Sequence, residues 1–288
     1  MKVACFVEAY NFRDLSEKKA LSKFKSTAES MGHGFEFIFK EDICRISEYD
    51  SLFIRATTDP SSSAYVVSRL AQEKGLKVID DPHSIRMCSN KVILHDLFLK
   101  NDIPSPKALL FMGDYSKENL ACIFDKLKLP VIIKTPYTRF SSHVEKANNE
   151  KEFVEISKRF LRKSRILIIQ EYLKSDFDWR VGILRNEILY LCKYFIPDGG
   201  WKVKSKINGR NIWGDTIAIP RDSISRELKD ICIHLSKCVG DGLYGLDVKE
   251  TNEGYKVIEI NDNPSIYEGY EDTADCDIYE KIINALTS

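Results

Sequence analysis

Three oxygen-bearing side chains near the end of the chain, Asp247, Glu259 and Asn261, are spaced to work as one group. They lie in Gly242-Leu-Tyr-Gly-Leu-Asp247-Val-Lys-Glu250 and Tyr255-Lys-Val-Ile-Glu259-Ile-Asn261-Asp262-Asn263-Pro264, two strand-like runs joined by a short turn bearing Gly254. Side chains alternate across a strand, so Tyr255, Val257, Glu259 and Asn261 are expected on one face. A turn over Asn252-Glu253-Gly254 pairs Thr251 with Tyr255 and sets Asp247 directly opposite Glu259. Facing carboxylates repel. A divalent cation would relieve them, and carboxylate and amide oxygens suit Mg2+. A solvated acidic hairpin, with Lys249 and Lys256 as counter-charges, satisfies the same pattern. A four-residue turn would also point Asp247 away from Glu259. Spacing alone leaves both readings open.

The elements around this hairpin alternate strand-like and helix-like, which indicates an α/β or α+β fold. The first ninety residues form a small open-sheet unit. Strands are expected at Val3–Val7, Phe35–Phe39, Leu52–Ile54 and Leu76–Ile79, and helices at Leu15–Met31 and Ser63–Lys74. The Asp80-Asp81-Pro82 cluster breaks the chain. A helix over Asn90–Lys100 leads through Ile103-Pro104-Ser105-Pro106 to strands at Ala108–Phe111, Val131–Lys134 and Ile166–Tyr172. Helices are expected at Lys117–Leu127 and Asn149–Leu161, the latter with Asn149 and Glu152 spaced as a capping pair. Strands Trp179–Leu184 and Ile188–Ile196 precede a polar stretch, Pro197–Asp215, read as a mobile loop. Ser223–Val239 is the clearest helix, and a last one is expected near Ile278–Leu286.

Composition restricts the function classes. The chain has 288 residues, 43 basic and 43 acidic, with a formal net charge of zero. That balance gives no electrostatic reason for general nucleic-acid or membrane-surface binding. No apolar run approaches the roughly 20 residues that span a bilayer. The apolar start, Met1-Lys2-Val3-Ala4-Cys5-Phe6-Val7, is cut by Glu8 and reads as a core strand, not a signal peptide. Eight scattered cysteines without a Cys-x-x-Cys pair read as reduced core thiols of a cytoplasmic protein.

At the hairpin, and at several segments before it, the sequence resembles the ATP-grasp superfamily, specifically the RimK-like carboxylate–amine ligases with their own N-terminal domain. The run Val257-Ile-Glu-Ile-Asn-Asp-Asn-Pro-Ser265 followed by Glu268-Gly-Tyr-Glu-Asp272 carries most of the likeness. Leu52-Phe-Ile-Arg-Ala-Thr-Thr58, Val78-Ile-Asp-Asp-Pro82 and Ser89-Asn-Lys91 extend it, so the order of landmarks fits from about Leu52 to the C-terminus. The resemblance implies an N-terminal pre-ATP-grasp domain over 1–90 and an ATP-grasp domain over 91–288. The latter divides into a small lobe (about 105–173) and a C-terminal lobe (about 174–288), with ATP sandwiched between them. It implies metal binding by Asp247, Glu259 and Asn261, with Mg2+ as occupant and Mn2+ as an alternative. Lys91 and Lys134 correspond to the nucleotide-contacting lysines, Glu171 and Tyr172 to the adenine-reading segment, and Asp178 to a ribose-contacting acid. Arg180 would hold a substrate carboxylate or acylphosphate, and Lys193 would face phosphate or substrate. One departure stands out: relatives carry a glycine-rich phosphate loop where this chain has Thr135-Pro-Tyr-Thr-Arg-Phe-Ser-Ser-His143-Val144. Ser141 and Ser142 would then offer hydroxyl and N–H groups to phosphate, with Arg139 or His143 substituting for the missing glycines.

The function implied is an ADP-forming ligase that joins a small-molecule or peptide carboxylate to an amine through an acylphosphate. Two other functions fit the same scaffold: an ATP-binding regulatory protein, suggested by the glycine-free loop, and a small-molecule kinase. The sequence names neither acid nor amine, and leaves a homo-oligomer open.

Overall fold

The computed structural model describes residues 1–137, 143–207 and 209–288. Strand β1 (Lys2–Phe6), helix α1 (Leu15–Ser30), β2 (Gly34–Ile38), β3 (Ser51–Ile54), α2 (Ser63–Glu73) and β4 (Lys77–Ile79) build a parallel sheet in the order β2-β1-β3-β4. Asp14 caps α1 by accepting from Ser16 and Glu17 N–H, and Leu21, Phe24 and Ala28 put its apolar stripe in the core. The Asp80-Asp81-Pro82 break proves to be a helix start. Asp81 caps α3 (Pro82–Cys88), whose first residue is the proline, a position that needs no N–H. Helix α4 (Lys91–Lys100) follows, capped by Asn90.

A second, antiparallel sheet comes from β5 (Ala108–Phe111), α5 (Lys117–Leu127), β6 (Val131–Lys134), β7 (Val144–Ala147), α6 (Glu150–Leu161) and β8 (Leu167–Glu171), in the order β5-β8-β6-β7. Asn149 caps α6 through Glu152 N–H, as its spacing predicts. The third sheet, also antiparallel, takes β9 (Phe177–Leu184) and β10 (Glu187–Phe195). The Pro197–Asp215 stretch, expected to be a loop, contains a two-stranded ribbon of β11 (Lys204–Ile207) and β12 (Arg210–Trp213). Then come β13 (Thr216–Ile219), α7 (Arg226–Val239), β14 (Leu243–Thr251), β15 (Gly254–Asn261) and α8 (Ile278–Thr287); the large sheet runs β13-β10-β9-β14-β15.

Packing assigns each face. Helix α7 covers one face of the large sheet through Leu228, Cys232 and Leu235 against Val181, Leu246 and Val248. Helix α8 joins part of the other face to the first sheet: Tyr279 and Ile282 share a core with Phe24 and Phe53 on one side and Tyr190 and Cys192 on the other. The second sheet has a separate core with α5 and α6, centred on Phe111 and Phe153. All eight cysteines are free thiols, and Cys5, Cys88, Cys192 and Cys232 are buried; Cys44, Cys122 and Cys276 are exposed, outside the core expected for them. No helix among the described residues is long and apolar enough to cross a membrane.

Candidate active site

Alternation along β14 sends Leu246 and Val248 into the α7 core, so Asp247 and Lys249 emerge on the opposite face. On β9, Val181 and Ile183 are buried with α7, which puts Asp178 and Arg180 on that same open face. The β14–β9 register sets Asp247 opposite Arg180. Arg180 Nε lies 2.9 Å from Asp247 Oδ1, and Nη2 donates to Oδ2 at 3.3 Å. A side chain at position 245 would collide with this arginine, since a Cβ there falls 2.8 Å from Arg180 Nη1 and 2.6 Å from Pro264 Cβ. Behind, the guanidinium stacks on the Tyr194 ring at 5.1 Å, and the Tyr194 hydroxyl donates to the buried Glu271 carboxylate. Lys249 donates to Asp178 Oδ1 at 2.5 Å and to Ser175 Oγ at 2.6 Å.

Asp247 does face Glu259, by a different route from the one the sequence suggests. Thr251 pairs with Gly254, not Tyr255, so the turn is one residue shorter than expected. Ile258 is then an extra residue on β15 between Val257, opposite Val248, and Glu259, opposite Asp247. The bulge restores the pairing and changes the faces. Val257 packs with α7, correcting the expectation that it shares a face with Glu259. Ile258 instead lines a cavity with Lys91, His95, Lys134 and Gln170.

The cations opposite come from the other elements. Lys91, the first residue of α4, places Nζ 3.1 Å from Glu259 Oε2. Its backbone N–H donates to Pro136 O, tying the helix start to the second sheet. Lys134 ends β6 and is 6% exposed. Burial lowers its pKa to about 8; the Glu259 and Asp247 charges hold it up, while Lys91 and Lys249 push it further down. Desolvation works against ionised Glu259, but Lys91 and Lys134 outweigh it and hold the carboxyl below its usual range. Asp247 moves the other way: burial raises it, Arg180 opposes, and the Glu259 and Asp178 charges add to the rise.

The site therefore gathers four cations, Lys91, Lys134, Arg180 and Lys249, around three carboxylates, Asp178, Asp247 and Glu259. Asn261 pairs with Gly245 in register and donates Nδ2 to its carbonyl at 3.4 Å, which leaves the amide oxygen as the end available to a cation. Among the described residues no three His, Cys, Asp or Glu side chains gather as a metal site. Two carboxylates and one amide nevertheless fit Mg2+, whose shell is normally completed by phosphate and water.

The remaining expected residues divide. Glu171 turns its carboxylate to Lys107 N–H at 2.7 Å, while its own N–H bonds Lys107 O. Tyr172 lies under Lys146 Nζ at 4.8 Å and meets the Trp201 ring edge-on. Lys193 is not with the group. It pairs with Trp179, on the α7 side of the sheet, and its ammonium sits over the Phe177 and Trp179 rings at 4.2 and 4.8 Å. Ser141, Ser142 and Arg139 lie outside the described residues. His143 pairs with Lys163 at 2.7 Å and packs on Phe160. Sequence reading named Lys249 only as a counter-charge of a solvated hairpin and missed Tyr194 and Glu271 as supports of Arg180 and His95 as a cavity wall. Lys249 was legible from β14 alternation, two residues after Asp247; the others depend on tertiary packing.

A parallel sheet followed by two antiparallel sheets, with Lys91 of α4 and Lys134 of the second sheet against the carboxylates of the third, defines an ATP-grasp protein. The chain matches the RimK-like ATP-grasp domain over residues 88–286 and belongs to that family. Among its relatives, alpha-aminoadipate–LysW ligase LysX of Saccharolobus solfataricus is 25% identical over 237 residues, covering 80% of this chain and 81% of that protein. Coenzyme gamma-F420-2:alpha-L-glutamate ligase of Methanococcus maripaludis is 25% identical over 208 residues, covering 70% and 68%. In fold, the crystal structure of D-alanine–D-alanine ligase from Bacillus anthracis matches with a TM-score of 0.75 at 14% identity, covering 100% of this chain and 96% of that one.

Proposed function

We propose that this protein is an ADP-forming carboxylate–amine ligase that uses Mg-ATP. The observation that carries the reading is the placement of Lys91 and Lys134 against the Asp247–Glu259 pair, cations from one side and metal-type oxygens from the other. A triphosphate between them would meet both. Lys91 and Lys134 would neutralise phosphate charge and hold the γ-phosphoryl in line, and Asp247, Glu259 and Asn261 would hold Mg2+, which when bound supplies further charge neutralisation on the phosphate oxygens. A substrate carboxylate oxygen bonds to the γ-phosphorus as the bond to the ADP oxygen breaks. The amine nitrogen then bonds to the acyl carbon and gives up a proton, and phosphate leaves as the acyl C–O bond breaks. Arg180, which lies against Asp247, is the group to steady the acylphosphate by a two-pronged contact.

The relatives' names attach glutamate or α-aminoadipate, which makes amino acids the first substrates to try, with a peptide or small carrier as the other partner. The reduced thiols suit a cytoplasmic setting. The test is ADP release from Mg-ATP over a panel of carboxylates and amines, with mass spectrometry of the product. Turnover should require the amine, and should fall at least a hundredfold in Glu259→Gln and Lys134→Ala. Wild-type rates in both variants would sink the reading. A phosphorylated product without amine dependence would indicate a kinase, and nucleotide binding without turnover a regulatory protein.

A further inference from the structure

The second sheet turns one face into its own core and the other toward α4 and β15. Ile133 and Ile169 are buried in that core, so alternation puts Ile132, Lys134, Ile168 and Gln170 on the open face. Across from them, Lys91 and His95 lie four residues apart on α4 and therefore on one side of the helix. Lys134, Ile168, Gln170, Lys91 and His95 all line one cavity, which the bulged Ile258 meets from β15. Its volume is about 30 Å3, room for one water or one exocyclic group and too small for a ring.

The two neutral polar side chains on this wall are uncommitted. Among the described residues, neither the Gln170 amide nor the His95 ring takes part in a hydrogen bond. Burial pushes His95 below its ordinary range against the pull of Asp96, so the imidazole is neutral at pH 7, with one N–H and one open lone pair. Glu171, expected to read a base, is engaged elsewhere: its carboxylate accepts from Lys107 N–H, and its own N–H donates to Lys107 O. An apolar wall with a few uncommitted polar groups is how small-molecule sites fix orientation.

Lys91 and Lys134 mark where phosphates lie, and the same wall continues from them to His95 and Gln170. A base resting at the cavity mouth, against Ile258, turns one edge inward. Adenine carries N6–H donors beside the N7 acceptor, and a carboxamide matches that pair with its oxygen and its NH2. A 6-oxo purine offers two acceptors there, so the amide oxygen loses its partner. Resting on the nucleotide half of the ligase reading, we infer that Gln170 and His95 select the base: Gln170 takes the N6–H and N7 edge of adenine, and His95 accepts the second N6–H inside the cavity. Base choice then lies with side chains of β8 and α4, beside the phosphate lysines.

The experiment is displacement of N-methylanthraniloyl-ADP from the full chain by ADP, by IDP and by tripolyphosphate, each with Mg2+, in wild type, Gln170→Leu and His95→Leu. IDP differs from ADP at the 6-position of the base and the proton on N1. Wild type should bind ADP about tenfold or more tighter than IDP, and each substitution should bring the two within about threefold by weakening ADP. Tripolyphosphate should displace the probe equally well from all three proteins. Without ligand, both variants should melt within a few degrees of wild type, since neither replaced side chain holds a hydrogen bond. Equal binding of ADP and IDP by wild type overturns the inference, as does a preference kept in both variants. So does a preference lost in Glu171→Gln but kept in Gln170→Leu, or a large loss of stability in both leucine variants, which would mark a structural role. Failure of the ligase reading shows separately, as the ADP preference without carboxylate-dependent ADP release from wild type given ATP and hydroxylamine.

Discussion

At the scale of single residues, Lys134 shows why the site is built at a cost in stability. Its ammonium is buried, and its pKa falls from 10.5 to about 8, chiefly by desolvation. The folded protein therefore binds fewer protons than the unfolded chain between those values, so this contribution to stability rises with pH across that window. The penalty is complete below about pH 8 and relieved toward 10.5, on the order of 3 kcal/mol at most. Lys134→Met, measured without nucleotide or metal, should melt several degrees above wild type at pH 7. The gap should narrow as pH rises through 8 to 10.5, while affinity for AMP-PNP drops at least tenfold. A variant less stable than wild type at pH 7 would show that the lysine is held by its neighbours more than it is penalised. Position in sequence identified this residue at the end of an apolar strand, but burial and the facing carboxylates come from another sheet. Lys193 shows the opposite case. It lies inside β10, two residues before its end, and pairing with Trp179 turns it to the α7 side. Which face a residue takes follows from strand pairing, and pairing is nonlocal.

At the scale of elements, local signals carried much of the reading. Asn149 caps its helix as its spacing with Glu152 predicts, and the bounds expected for α1, α5 and α7 fall within three residues of those found. Two elements escaped for local reasons. Helix α3 was hidden by its own starting proline, and the β11–β12 ribbon by its polarity, although the Asn208-Gly209 pair between its strands is a hairpin signal. The bulge at Ile258 was beyond reach, because it compensates a turn one residue shorter than expected. It yields a sharp prediction. Deleting Ile258 regularises the β14–β15 ladder, leaves Glu259 opposite Asp247, and keeps Val257 and Ile260 toward α7. What disappears is the apolar side chain in the cavity beside Lys91 and Lys134. The deletion should fold and melt within several degrees of wild type, yet bind AMP-PNP several-fold more weakly. Unfolding on deletion would show that the bulge serves the sheet's curvature and not the cavity.

At the scale of the whole molecule, the cores determine what can move. The first and third sheets share one core through α8, with Phe24 and Tyr279 rings 4.7 Å apart and Lys23 bonded to Asp272 at 2.9 Å. The second sheet keeps its own core, and its links to the rest include Lys91 N–H with Pro136 O and Lys202 Nζ with Val144 O at 3.0 Å. Docking of α8 joins residues more than 200 apart in sequence, which no local pattern reports. Polar links of this kind rearrange more readily than a packed core. The second sheet should thus shift as a unit when nucleotide enters, drawing Lys134 onto the phosphates. Hydrogen exchange with and without Mg-AMP-PNP measures this directly. Protection should rise at β6 and β7 and at residues 201–205, and stay unchanged in β1, β3 and α8. Lys202→Ala should reduce the gain at 201–205 while leaving that at β6. Equal protection of the first sheet would mean that nucleotide tightens the whole molecule, and the independent motion of the second sheet would be wrong.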